Sequence, residues 1–264
     1  MKRTCHFILF LTLTLAMFQA GCTPKNQPAG NKQVPPAASP TVPAATSAPA
    51  IPSAVSRSIH LDPSVVEDAD SALVSGFLYD SLTRLDASGK PQAALATQWT
   101  VSDDQLDYVV VLRQGVTFHS GAAFNADAVM ANFNRWFDPA NSLHGSADYP
   151  GWKKAFLAFK GDLASDGTPA SPFDGIEKVD EHTVLIHLNR PMPDLLTDLA
   201  SPSFAILNPA LLASSGATTG TSAATVDGTG AYFVSSWSDS GLVLAPNSTY
   251  WGGAPASNLQ FAWK

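Results

Sequence analysis

Paired aspartates and several histidines are the side chains of this sequence best suited to chemistry. Asp103 and Asp104 stand side by side, as acid–base pairs and calcium ligands do, but a pair between two apolar runs is typical of a solvated hairpin turn. His182 and His187 lie in one predicted strand, where a spacing of five residues puts them on opposite faces, so they are poor ligands for a shared metal. His144 is predicted to lie in a loop, where it could be exposed. These groups predict neither a catalytic site nor a metal site.

The sequence also lacks the motifs of the common enzyme classes. It contains no zinc-protease helix motif, nucleophile elbow, P-loop or dinucleotide fingerprint. No nucleophile stands in a recognisable constellation with a base, which argues against an envelope hydrolase. We therefore predict that the protein is not an enzyme and that it uses no metal or cofactor.

Charge and cysteine content limit the partners further. The 264 residues carry a net charge of −7 without a basic cluster, which argues against nucleic acid as a partner. Both cysteines, Cys5 and Cys22, lie close to the N-terminus. The predicted folded part can therefore form neither a disulfide nor a thiolate metal site.

The N-terminal residues have the pattern of an export signal. Lys2 and Arg3 precede an apolar run over 7–18 that is too short to span a bilayer. The run ends in Gln19-Ala20-Gly21-Cys22, and small residues before a single cysteine are typical of a lipoprotein signal. We predict a signal peptide over 1–21 and lipidation of Cys22, which becomes the new N-terminus. Gln19 stands where Leu, Val or Ile is usual, so the alternative is an ordinary secretory signal with an incidental cysteine.

A low-complexity segment follows the predicted anchor. Residues 23–56 contain eight prolines and eight alanines, with only Lys25 and Lys32 charged. Such a segment buries too little apolar surface to offset the entropy of ordering it, so we predict a disordered tether over 22–57. The alternative is a plain disordered tail. An acidic protein does not bind anionic headgroups by charge, so membrane attachment would depend on the acyl chains.

Helices and strands are predicted from hydrophobic spacing after residue 57. Asp68 or Asp70 can cap a first helix, and Asn125 can cap a second whose aromatic stripe is buried. Alternating runs predict hairpins around Trp99 and 108–112 and across 232–237 and 242–245, with another strand over 176–188. The predicted buried face of the second helix consists of Val129, Phe133, Trp136 and Phe137.

Several short motifs occur in a characteristic order between residues 61 and 264. They are Leu78-Tyr79-Asp80-Ser81-Leu82, Trp99, Ser102-Asp103-Asp104, Leu112-Arg113, Phe118-His119, Gly121, Ala126-Asp127, Gly228-Thr229-Gly230 and Tyr250-Trp251-Gly252-Gly253. Together they resemble the N-terminal lobe of the bacterial extracellular solute-binding proteins of family 5, the dipeptide-, oligopeptide- and nickel-binding lipoproteins of ABC importers.

The resemblance implies an α/β fold. It predicts a periplasmic-binding-protein-like lobe with an inserted α+β subdomain over 80–173, the main lobe being formed by 58–79 and 174–264. Full chains of the family are about twice as long, with the ligand between two lobes, so the second lobe is expected to be absent from this truncated chain. For the same reason we expect the 264-residue chain to bind peptides weakly or not at all.

The resemblance also implies a function. The protein is expected to be the substrate-binding component of an ABC-type importer, a monomer that captures peptides or similar small solutes outside the cytoplasmic membrane and delivers them to permease subunits. Ala69 and Asp70 are the ligand-binding residues that the resemblance implies, although Asp70 could instead be a helix cap. The alternative function is a truncated, non-binding envelope lipoprotein that acts as an interaction module.

Overall fold

A computed structural model describes residues 54–264, so the predicted signal peptide, Cys22 and most of the predicted tether lie outside the described residues. Within this range the helices are α1 (Ala69–Leu78), α2 (Ala126–Phe137), α3 (Pro150–Phe156), α4 (Leu195–Asp198) and α5 (Pro209–Ser215). The strands are β1 (Ala54–Val55), β2 (Thr83–Leu85), β3 (Pro91–Ala93), β4 (Ala96–Val101), β5 (Asp107–Leu112), β6 (Phe173–Asp180), β7 (Thr183–Leu188), β8 (Tyr232–Ser238), β9 (Gly241–Pro246) and β10 (Leu259–Trp263). None of these helices is long and apolar enough to cross a membrane.

One four-stranded sheet has the order β1-β10-β9-β8, with β1 parallel to β10 and the other pairs antiparallel. It includes the predicted hairpin of β8 and β9, which is confirmed. Its first strand corrects the tether boundary at 57, because Ala54 pairs with Ala262 and Val55 is fully buried. Two residues are too few to give a strand pattern in the sequence.

A second four-stranded sheet is antiparallel throughout and has the order β4-β5-β7-β6. The predicted hairpin of β4 and β5 is confirmed. The boundary between subdomain and main lobe at 173–174 needs correction, because β7, predicted in the main lobe, pairs with β5, and β6 pairs with β7. The buried side chains of Val184 and Ile186 lie opposite Val110 and Tyr108 and so complete the core of this sheet.

Helix α2 packs against the second sheet as its sequence predicts. The Asn125 side chain accepts a hydrogen bond from the Ala128 backbone N–H at 3.1 Å, which caps the helix. The predicted aromatic stripe is buried: Val129, Phe133, Trp136, Phe137.

At the tip of the β4–β5 hairpin the Asp104 carboxylate accepts from the Ser102 hydroxyl at 2.6 Å and the Leu106 backbone N–H at 3.2 Å. The hydrogen bond from Ser102 is the main cause that lowers the pKa of Asp104. The aspartate pair lies in the turn of this hairpin.

Helix α3 is only seven residues long and has a left-handed residue at each end, Tyr149 at φ 44° and Leu157 at φ 68°. Such backbone angles are unfavourable for residues with a side chain. Its buried residues are aromatic, with the rings of Trp152 and Phe156 stacked 4.2 Å apart. Phe204 contacts Phe156 edge to face at 5.7 Å, so aromatic packing holds α3 in place.

A buried ion pair joins the segment before α1 to helix α2. Asp62 and Arg135 form a salt bridge in which the two side chains are 2% and 5% exposed. The Ser64 hydroxyl donates to the Asp62 carboxylate at 2.7 Å, and the guanidinium of Arg135 lies 5.3 Å from the centre of the Tyr149 ring. The Arg135 carbonyl lies 2.7 Å from Nδ1 of His144, which lies in a loop as predicted but is buried there.

A glycine permits the segment before β8 to lie close to α1. The Gly230 N–H donates to the Leu78 carbonyl at 3.0 Å at the end of that helix. A Cβ at position 230 would lie 2.4 Å from the carbonyl carbon of Leu78 and 2.6 Å from the carbonyl oxygen of Phe77. These neighbours are backbone atoms and cannot move aside cheaply.

We expect the Arg135→Ala substitution to lower the free energy of unfolding by about 3–5 kcal/mol, because it leaves the buried Asp62 carboxylate without its partner. Urea unfolding followed by circular dichroism measures the change. Arg57→Ala is the control, since the Arg57–Asp239 pair is exposed and its loss should have no measurable cost. Equal destabilisation by both substitutions would contradict the role of the buried pair.

We expect Gly230→Ala to destabilise the protein by about 1–3 kcal/mol through the overlap of its Cβ with the end of α1. Gly76→Ala is the matched control within α1, because a Cβ there meets nothing within 4 Å. Alanine also favours a helix over glycine by roughly 0.5–1 kcal/mol, so this control should be neutral or stabilising. A thermal unfolding midpoint that falls equally in both variants would refute the packing argument.

Candidate functional site

The two predicted ligand-binding residues lie in the first turn of α1. Ala69 is exposed, whereas the Asp70 carboxylate accepts from the Ser56 backbone N–H at 2.7 Å and from the Lys264 ammonium at 3.0 Å. The hydrogen bond from Lys264, followed by that from Ser56, lowers the pKa of Asp70. The helix cap is Asp68, which accepts from the Ser71 N–H at 2.8 Å, so Asp70 is not the cap. The structure thus shows Asp70 tying two strand ends to α1, and its contact with a ligand stays a prediction.

A cavity of about 460 Å³ opens beside this turn. We call it the Glu67 cavity, after the residue that lies on its rim two positions before Ala69. Its walls come from α1 and the segment before it, from α3, and from α4 and the residues that follow it up to Phe204, with Leu85 of β2 also in the lining. A volume of this size is within the range of small-molecule sites, about 300–1,000 Å³.

Charged side chains of both signs line the Glu67 cavity: Glu67, Lys154 and Asp198. Asp198 is the last residue of α4 and is half-buried. Burial is the main cause that raises the pKa of its carboxyl, the nearby Asp194 raises it further, and Lys154 acts in the opposite direction. The cavity can therefore offer a cation and an anion to one small molecule.

A smaller cavity of about 190 Å³ adjoins the first, since both are lined by Pro63, Ala200 and Pro202. Asp80 also lines this smaller cavity, but its carboxylate is fully engaged. It accepts from the Thr229 hydroxyl at 2.9 Å, the Tyr250 hydroxyl at 3.0 Å and the Trp251 indole N–H at 3.0 Å.

The Asp80 cluster explains why three separate motifs occur together. The aspartate belongs to Leu78–Leu82, and its donors belong to Gly228–Gly230 and Tyr250–Gly253. Burial first, and then the charge of Asp80, raises the pKa of Tyr250 well above its usual value. The Arg113 guanidinium lies 4.2 Å above the Trp251 ring. The cluster therefore holds the segments before β8 and after β9 against the chain that leads into β2, and its polar groups are used for structure.

His119 and His187 also have structural partners. His119 lies 3.1 Å through Nε2 from the Gly230 carbonyl, and burial lowers its pKa. His187 lies in β7, 2.7 Å through Nδ1 from Asp107, while His182 lies in the turn before β7. Among residues 54–264, no three His, Cys, Asp or Glu side chains group as metal ligands would.

Sequence reasoning did not single out Lys154 and Asp198. Neither residue belongs to a motif, and they come from two short helices that meet only through tertiary packing. An isolated lysine and an isolated aspartate give no signal that they share a cavity.

A sequence model of the family described as "Bacterial extracellular solute-binding proteins, family 5 Middle" matches residues 90–262. The glutathione-binding protein GsiB of Escherichia coli K12 is 34% identical over 192 residues, which are 72% of this chain and 33% of GsiB. GsiB of Salmonella typhi gives the same identity and coverage. The chain thus spans about a third of the length of these curated relatives.

Solved structures give a consistent result for the fold. The periplasmic binding protein DppA of Helicobacter pylori, in complex with the peptide STSA, aligns with a TM-score of 0.63 and 25% identity over 78% of this chain and 40% of that chain. HbpA2 of Haemophilus parasuis aligns with a TM-score of 0.67 and 27% identity over 80% of this chain and 42% of that chain. These likenesses confirm the predicted α/β lobe of a periplasmic binding protein.

The order of the motifs, the sheets that they build and the match over residues 90–262 therefore agree. The chain belongs to the bacterial extracellular solute-binding proteins of family 5.

Proposed function

We propose that the protein acts as the substrate-binding component of an ABC-type importer and captures peptides or similar small solutes outside the cytoplasmic membrane for delivery to permease subunits. The observation that carries this proposal is the family match over residues 90–262. It is supported by relatives whose names specify glutathione binding and by the ABC transporter-associated DppA, solved with a bound peptide.

The chemistry of solute capture fits the described residues. Binding without catalysis requires a cavity, a few convergent polar groups and an element that closes on the ligand. The Glu67 cavity provides the first two. Ala69 and Asp70 do not line it but follow Glu67 closely in the chain, and we propose them as neighbours of the solute. Asp80 and Asp62 are less suited to bind a solute, because the carboxylate of Asp80 is hydrogen-bonded and that of Asp62 is paired within the protein.

The proposed location is the outer face of a membrane, reached through the signal peptide over 1–21 and retained by lipid on Cys22. The pattern of Gln19-Ala20-Gly21-Cys22 and the proline-rich segment after it support the anchor. A tether of this composition would keep the solute-binding region clear of the membrane surface.

We expect the chain to bind reduced glutathione or short peptides with dissociation constants weaker than micromolar, because it spans about a third of the length of its relatives. Amide chemical shifts of ¹⁵N-labelled protein, titrated with glutathione and di- to tetrapeptides, detect binding in this range. Maltose serves as a neutral control of similar size. Saturable shifts with peptides and none with maltose support the proposal, whereas shifts of equal size with maltose and with the peptides contradict it.

We expect mass spectrometry of the N-terminal peptide of protein extracted from native membranes with detergent to show Cys22 as the first residue, carrying acyl chains. Cys22→Ser should release the protein into the soluble fraction, because a single thiol carries the proposed anchor. Cys5→Ser is the matched control, since Cys5 lies within the predicted signal peptide and should leave anchoring intact. A Cys22→Ser protein that still fractionates with membranes would argue for attachment by another route.

A further inference from the structure

The three charged side chains of the Glu67 cavity differ from most charged groups around them. Within residues 54–264, Glu67, Lys154 and Asp198 make no side-chain hydrogen bond and no ion pair. Lys153, the neighbour of Lys154 on the same helix, pairs with Asp148. The cavity therefore collects ionic groups that the protein leaves available.

Lys154 and Asp198 line the same cavity, the first from α3 and the second from α4, and they form no ion pair with each other. The positive charge of Lys154 lowers the pKa of Asp198, against the larger effect of burial. A half-buried carboxylate without a partner is less stable than one that is paired, since burial disfavours its charged form. A cation from a bound molecule would supply the missing partner.

Apolar side chains line the same cavity. Val66, Ala155 and Phe204 line the cavity, as does Leu85, which is 45% exposed. An exposed leucine at the mouth of a cavity provides apolar surface for a ligand to cover. The lining as a whole matches a molecule with an ammonium group, a carboxylate and a short apolar part between them.

A second cavity, of about 330 Å³, gives a useful contrast. Asp62 and Arg135 line it, but they pair with each other and are almost completely buried. Its ions are therefore already satisfied and have little to gain from a ligand. The larger cavity is the one whose charges lack partners among the described residues.

We propose that Lys154 and Asp198 bind the two charged ends of a zwitterionic solute of the size of a short peptide, Lys154 its carboxylate and Asp198 its ammonium group. Glu67 adds negative charge at the rim on the side of α1. The inference rests on the proposed function and names the residues that would give it a preference for zwitterions.

The test uses the dipeptide Ala-Leu, its C-terminal amide and its N-acetyl form, each titrated by ¹⁵N NMR into the wild-type chain and its variants. Lys154→Ala should weaken binding of Ala-Leu about fivefold, the effect of one exposed charge pair. Lys153→Ala, which removes the neighbouring lysine outside the cavity, should change it little. The amide should bind the wild type about fivefold more weakly than Ala-Leu, and Lys154→Ala should not distinguish the two.

Asp198→Asn should act in the same way on the other end of the peptide. It should abolish the preference for Ala-Leu over N-acetyl-Ala-Leu, while Asp194→Asn, which changes the adjacent exposed carboxylate, should retain it. Because the end-blocked peptides probe the unaltered wild-type protein, they give an answer even if a variant folds poorly.

The outcomes separate the two proposals. Binding of Ala-Leu by the wild type with equal affinities in Lys154→Ala and Lys153→Ala, or with shifts away from the Glu67 cavity, would overturn this inference and leave the proposed function intact. Absence of binding of every peptide by the wild type would overturn the inference alone, because the chain spans about a third of the length of its relatives, whereas equal binding of maltose and Ala-Leu would overturn the proposed function.

Discussion

The buried pair of Asp62 and Arg135 is the interaction on which the arrangement of the described residues depends. It connects the segment that leads into α1 with helix α2, which packs on the second sheet. Burying both charges is expensive unless each is paired and hydrogen-bonded, and Ser64 supplies one of the required donors. Pro63, Val66 and Glu67 follow directly, so the same pair positions one wall of the Glu67 cavity.

The Asp80 cluster has a comparable role beside the smaller, adjoining cavity. Three donors from two distant segments converge on one carboxylate, and Gly230 allows one of those segments to approach the end of α1. The motifs that carry the family resemblance are therefore largely a means of packing. This explains how the sequence can indicate the family clearly while its motifs name few groups for the solute.

Local chemistry accounts for what could be predicted from the sequence. Asp68 and Asn125 cap helices because their short side chains reach free backbone N–H groups, and the β4–β5 hairpin follows from alternation and a polar turn. Predictions that needed long-range information were less accurate. The pairing of β7 with β5 and the burial of His144 depend on contacts between distant parts of the chain. The Glu67 cavity is of the same kind, because Lys154 and Asp198 belong to no local pattern.

The short helix α3 has a consequence for the order in which this protein is built. Seven residues between two left-handed residues are too few to form a stable helix alone, so α3 exists only while Trp152 and Phe156 pack among the neighbouring rings. Lys154 therefore has no defined position during early folding. The aromatic core therefore fixes the position of the Lys154 ammonium group. The Glu67 cavity can hold an anion only late in folding, after that core has collapsed.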